Sequence, residues 1–152
     1  RNVAAKTRVK VIAWKGRCVV HEQFTADQVA AYRAQFPGIE VLAHPECSPE
    51  VVAASDFVGS TKAMIDHLGR RPTGRVILIT ECSMADNVQS AHPGREFVKT
   101  CTLCPHMKKI TLEKVLDSLR EMKHEVVVPE ETRLRALRSL ERMLSVGRPS
   151  GD

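Results

Sequence analysis

An α/β fold with a parallel sheet is what this sequence predicts, on three observations. Short strand-like runs alternate with amphipathic helical patterns, which argues for parallel layers rather than a meander. One run, Val76-Ile77-Leu78-Ile79, is continuously apolar, as in a strand buried on both faces. Polar residues with chemical potential recur just after the predicted strands, the edge where open parallel sheets bind ligands.

Each element has its local reason. Residues 1–8 are polar and basic and predict a frayed start. Val9 to Trp14 reads as a strand, broken by Lys15-Gly16-Arg17, with Cys18 directly after it. Phe24 to Phe36 reads as a helix with Thr25 as N-cap and Val29, Tyr32 and Phe36 on one stripe. Pro37-Gly38 ends it. Ile39 to Ala43 is the next strand, with His44-Pro45-Glu46 at its C-terminal end. Ser48 caps a short helix that has Pro49 at its first position and Glu50 in its first turn. Asp56-Phe57-Val58 is a brief strand. Gly59-Ser60-Thr61 then opens a helix through His67, with Met64, Ile65 and Leu68 inward.

Gly69 to Gly74 reads as a polar loop and Arg75 to Thr80 as the clearest strand, followed by Glu81-Cys82-Ser83. A short helix over 84–91 is stopped by His92-Pro93-Gly94. Glu96 to Thr100 is a fourth strand leading to Cys101 and Cys104. A helix over 111–122, capped by Thr111, carries Leu112, Val115, Leu116 and Leu119 at helical spacing. Glu125 to Val128 is a short strand. Pro129 starts a last helix with a Leu134, Leu137, Leu140 and Leu144 stripe, ended by Gly147; 148–152 is a loose tail. Residues 39–100 thus form a near-complete four-stranded unit, and 1–36 the last strand and helix of a preceding one.

Composition narrows the function. The chain has 152 residues and a net charge of +5. Its densest basic run, Arg133, Arg135, Arg138, Arg142 and Arg148, is interleaved with Glu130, Glu131 and Glu141. That pattern is a solvated helix face, so no nucleic-acid partner is expected. Aromatics are few, and the core must be aliphatic. No signal peptide is visible, and no apolar run nears the roughly 18 residues of a membrane span. The expectation is a cytoplasmic protein with no membrane partner. The five cysteines are an odd number, and in that compartment grouped thiols point to metal or redox chemistry.

The thiols have a focus at Cys101 and Cys104. Pro105 keeps Cys104 out of a helix, on a loop running towards a helix N-terminus, where thiolate charge is stabilised. This is chemistry for a metal ligand or a reactive thiol. Cys18, Cys101 and Cys104 with a histidine could hold zinc, but no second Cys-x-x-Cys or paired-histidine motif is present. Widely separated single cysteines fit a cluster between domains better. His44 and Glu46, set apart by Pro45, offer an imidazole and a carboxylate base for proton transfer next to a carbonyl. Gly59-Ser60-Thr61 at a helix start offers N–H groups and hydroxyls to a carboxylate or phosphate. Cys47 and Cys82 read as packing residues, and His21, His67, His92, His106 and His124 as surface or packing histidines, His21 being drawn towards Cys18 by proximity.

Four segments in order carry a resemblance. Trp14-Lys15-Gly16-Arg17-Cys18-Val19-Val20-His21, His44-Pro45-Glu46, Val58-Gly59-Ser60-Thr61 and Cys104-Pro105-His106-Met107-Lys108 resemble the quinolinate synthases, iron–sulfur enzymes of NAD biosynthesis, across residues 9–122. The C-terminal helices resemble them more loosely. The resemblance implies three-layer αβα units with parallel four-stranded sheets, three such domains around a pseudo-threefold axis. Each would give one cysteine to a central [4Fe-4S] cluster. On that footing residues 1–36 end the second domain, 37–104 form the third, and 105–152 are a C-terminal helical segment. Cys18 and Cys104 match two cluster ligands, and the third is absent from this chain.

The implied reaction condenses iminoaspartate (iminosuccinate) with dihydroxyacetone phosphate to quinolinate, releasing phosphate and water, with the cluster as Lewis acid. His44, Pro45, Glu46 and Thr61, with Ser60 beside it, match the substrate-contacting positions. Glu46 would be the acid–base group and His44 an orienting one. The chain corresponds to about the second half of the family, without the first domain, the family's cluster-side tyrosine or most of the second domain. The expectation is therefore a chain inactive without an N-terminal half. The alternatives are a non-catalytic fragment, a zinc- or thiol-binding module, or a redox protein using Cys101 and Cys104.

Overall fold

The computed structural model describes residues 1–70 and 74–146. It forms two compact units that divide after Lys109.

The first unit is a parallel sheet between two helical layers. Its strands are β1 (Glu40–Ala43), β2 (Phe57–Val58), β3 (Gly74–Ile79) and β4 (Arg95–Val98), in the order β2-β1-β3-β4, every pair parallel. The helices are α1 (Ala26–Gln35), α2 (Pro49–Ala53), α3 (Thr61–Arg70) and α4 (Ser83–Gln89). Strand side chains alternate between the layers. Val41, Ala43, Ile77 and Ile79 pack with Val29 of α1 and Val51 of α2. Leu42, Val76 and Leu78 pack with Met64 and Leu68 of α3 and Ala85 and Val88 of α4. Val41, Leu42 and Ala43 are fully buried, because a strand covered on both sides has no solvent face. Each large aliphatic chain so buried is worth about 1.5–3 kcal/mol.

The predicted caps form. Thr25 and Gln28 make a reciprocal capping box, each side chain accepting from the other's backbone N–H. Ser48 accepts from Val51 N–H at the start of α2. α1 ends through Gly38, whose φ of +77° is open to glycine at little cost. Gly59 is needed for a different reason. A Cβ there would lie 2.8 Å from both Ala63 Cβ and the Phe57 ring, so the turn from β2 into α3 admits no side chain.

Several expectations fail. Val9 to Trp14 forms no strand; Ile12 is 88% and Trp14 91% exposed. A strand needs a neighbour's backbone, and this segment has none among the described residues. Residues 125–128 are likewise unpaired. The start of the chain carries a 3₁₀ turn at Ala4–Lys6 rather than fraying throughout. Ile65 stays partly exposed, while Met64 and Leu68 point inward as expected. α3 runs on through Gly69 and Arg70, and Gly74 opens β3; residues 71–73 of the expected loop lie outside the described residues.

The second unit contains α5 (Leu112–Glu121), capped by Thr111, and α6 (Glu130–Val146). Their apolar stripes exist but are exposed, Leu112 and Leu119 most of all. The expected stop at Gly147 and the tail 148–152 lie outside the described residues. No helix among the described residues is long and apolar enough to cross a membrane.

Candidate active site and metal centre

β1 and β3 are neighbours, so the residues that follow them meet. His44 N–H donates to Ile79 O at 3.3 Å, and Cys47 N–H closes the turn onto His44 O at 3.0 Å. Asn2 clamps the same turn, its side-chain amide donating to Pro45 O and to Cys47 O, both at 2.9 Å. Held in this way, Glu46 turns back over the strand end. Its N–H donates to His44 Nδ1 at 3.3 Å, which leaves the neutral ring's proton on Nε2.

Against this turn stands His21, on a 3₁₀ turn of residues 21–23 just after Cys18. It is 7% exposed and fully engaged. Nδ1 lies 2.9 Å from Glu46 Oε2, and Nε2 lies 2.9 Å from Thr80 Oγ1, one residue past β3. Its ring stacks on that of His44 at 4.4 Å between centroids and 10° between planes. Burial, and then the neighbouring His44, hold His21 below its ordinary value against the pull of Glu46. The neutral ring therefore donates from Nδ1 to the carboxylate and accepts the Thr80 hydroxyl at Nε2. One ligand atom each from Cys18, His21 and Glu46 lie within 4.8 Å of one another.

The remaining predicted residues distribute around this core. Cys18 and Cys104 are half-buried, and both pack against the apolar cluster beneath β1 and β3. Met107 N–H points at Cys104 Sγ at 3.5 Å, from a 3₁₀ turn at Met107–Lys109; α5 begins only in the second unit. Cys101 is exposed. Ser60 caps α3 by accepting from Ala63 N–H, and Thr61 is the first residue of that helix. Gly59 N–H to Ala43 O at 3.1 Å ties this corner to the end of β1. Glu81 accepts from Ser83 N–H at 2.8 Å, with Lys108 Nζ at 3.7 Å.

Cys47 is buried as expected, and burial pushes its thiol up to about 11. Cys82 is only half-buried; burial and the Glu81 and Asp86 carboxylates hold it above its ordinary value. His67 is no free surface group: it binds Glu40 at 2.8 Å and stacks on Phe57.

An open hollow of about 500 Å³ lies at the opposite edge of the sheet, lined by Arg33, Glu40, Asp56 and Arg95 among others. Its arginines are paired, Arg33 with Asp56 at 3.0 Å and Arg95 with Glu40 at 2.7 Å. The chemistry-bearing groups gather at the other edge.

His21, Thr80 and Asn2 are what sequence reasoning missed. The one signal for His21 was its place three residues after Cys18, inside the longest of the four family-like segments.

A family model described as Quinolinate synthetase A protein matches residues 1–145. Quinolinate synthase 1 of Mesorhizobium japonicum is 54% identical over 146 residues, covering 96% of this chain and 45% of that protein. Quinolinate synthase of Agrobacterium fabrum is 53% identical over 146 residues, covering 96% and 42%. Quinolinate synthase of Xylella fastidiosa strain 9a5c is 51% identical, covering 96% and 43%. The chain thus spans less than half the length of these curated relatives.

Proposed function

The chain belongs to the quinolinate synthase family, and we propose that it acts as the C-terminal half of such an enzyme. With an N-terminal half, it condenses iminoaspartate (iminosuccinate) with dihydroxyacetone phosphate to quinolinate, a transferase step of de novo NAD biosynthesis in the cytoplasm. The observation that carries this reading is the contact of the Glu46 carboxylate with His21 at 2.9 Å and of the Glu46 N–H with His44 at 3.3 Å, at the ends of β1 and β3, beside the Cys18 thiol.

Cys18 and Cys104 fit a [4Fe-4S] group: two half-buried thiols on one apolar floor, one of them facing a backbone N–H. They would hold it together with a third cysteine from outside this chain. Bound by three thiolates, the cluster supplies an open iron as Lewis acid towards substrate oxygen.

The chain's own residues handle protons and position. Glu46 takes a proton from the carbon being deprotonated and returns it to the hydroxyl that leaves. His21 donates from Nδ1 to the Glu46 carboxylate and fixes its direction. His44, with Nδ1 committed to Glu46 N–H, presents Nε2–H to a substrate oxygen. Pro45 stiffens the turn between them. Ser60 and Thr61 anchor a carboxylate or phosphate at the N-terminus of α3.

The test is turnover by an enzyme assembled from this chain and a complementary N-terminal half. Glu46→Gln should keep the cluster and still bind a dicarboxylate, yet lose about 10²–10⁴-fold in kcat. Wild-type turnover in that variant would remove Glu46 from the chemistry.

A further inference from the structure

Cys18, His21 and Glu46 also form a site in their own right. We propose that in the chain without a cluster these three side chains bind one thiophilic divalent cation, zinc above all. A sulfur, an imidazole nitrogen and a carboxylate oxygen, all within 4.8 Å of one another, are the donor set zinc takes, and three protein ligands leave its fourth position open. The proposal stands on this geometry and does not depend on the cluster assignment.

The nitrogen on offer is Nδ1, since Nε2 is held by Thr80 Oγ1 at 2.9 Å. Nδ1 and Glu46 Oε2, 2.9 Å apart, at present share a proton. The cation replaces that proton, with the two atoms opening slightly to accept bonds of about 2.0–2.1 Å. The balance is simple. Cys18 releases its thiol proton to solvent. The neutral His21 ring moves its proton from Nδ1 to Nε2, which then donates to Thr80 Oγ1. Thr80 thereby becomes the outer partner that fixes ring and tautomer, the usual support of a metal-bound histidine. Stacking against His44 and near-complete burial already hold the ring in position, so little is lost in ordering it. Zinc here and a cluster on Cys18 exclude each other, because both need the same thiolate.

Cobalt reads the site directly. The chain, purified anaerobically without added iron, is titrated with Co²⁺. One equivalent should bind with a thiolate-to-cobalt charge-transfer band, and zinc should displace it. Cys18→Ser should abolish the band. Thr80→Val should keep it while weakening binding about 10–100-fold. Cys104→Ala should leave cobalt binding unchanged, although it would abolish a cluster, so failure of one idea is distinguishable from failure of the other. Should Cys18→Ser fail to fold by circular dichroism, Glu46→Gln decides instead, and must weaken binding at least about tenfold. No band at stoichiometric cobalt, a band that survives in folded Cys18→Ser, or one lost in Cys104→Ala overturns the proposal.

Discussion

Cys47 and Cys101 carry the same thiol in opposite surroundings. Cys47 is buried beneath the His44 turn, its S–H directed at Ile79 O, and is held near 11; Cys101 is exposed. The thiolate is the nucleophile, so near neutral pH Cys47 is almost inert. Iodoacetamide labelling of the folded chain, read by mass spectrometry, should modify Cys101 first and Cys47 last; equal rates would contradict the burial. Thr61 makes a different residue-scale case. An anchoring hydroxyl contacts ground and transition states alike, so in the assembled enzyme Thr61→Ala should raise KM about fivefold, the worth of roughly 1 kcal/mol, with kcat nearly unchanged. A fall in kcat at constant KM would argue against anchoring. Residues such as His44, Glu46 and Thr61 are legible from sequence because following a strand is a sequence property. His21 is not. Its partners are residues 44, 46 and 80, and no spacing along the chain links them; only the β1–β3 pairing does.

Among the elements, β3 is legible because burial on both faces demands an uninterrupted apolar run, and α1 and α2 because their caps are written in Thr25, Gln28 and Ser48. Val9 to Trp14 has a comparable composition and fails, since propensity says nothing about whether a partner strand is at hand. One tie between elements was invisible in advance. Glu40 on β1 accepts from Arg95 on β4 at 2.7 Å and meets His67 on α3 at 2.8 Å. Burial pushes Glu40 up, but His67 and Arg95 together pull it below its ordinary 4.5. Its folded value thus lies below its unfolded one. The stabilisation is present in full above about pH 4.5 and is lost as pH falls through the depressed value. Glu40→Gln should cost roughly 1.5–3 kcal/mol at neutral pH, because it takes the charge from a carboxylate that binds both Arg95 and His67, and should flatten the loss of stability on acidification. Urea melts from neutral to acid pH would show it; parallel curves for the two proteins would sink the assignment.

For the molecule as a whole, the balance of covered and bare apolar surface decides behaviour. The centre of the sheet in the first unit is covered on both faces, yet Ile12 and Trp14 in that unit and Leu112, Leu119 and Val126 in the second are exposed. Surface of that kind drives association. The chain alone should run as oligomers or aggregates in light scattering, and co-expression with an N-terminal half of a relative should yield a defined complex. A monodisperse monomer that melts cooperatively would contradict this. The all-parallel order β2-β1-β3-β4 bears on how such a chain gets built. No pair in it can zip up from a hairpin turn, and the central pairing brings Glu40 to Val76. On a ribosome β1 emerges well before β3 exists, and until then Val41, Leu42 and Ala43 have one flank with nothing to bury it. Loop closure must come before any contact rewards it, which slows folding. The nascent chain therefore carries β1 half-clothed until β3 arrives, which is when a holding chaperone has most to grasp.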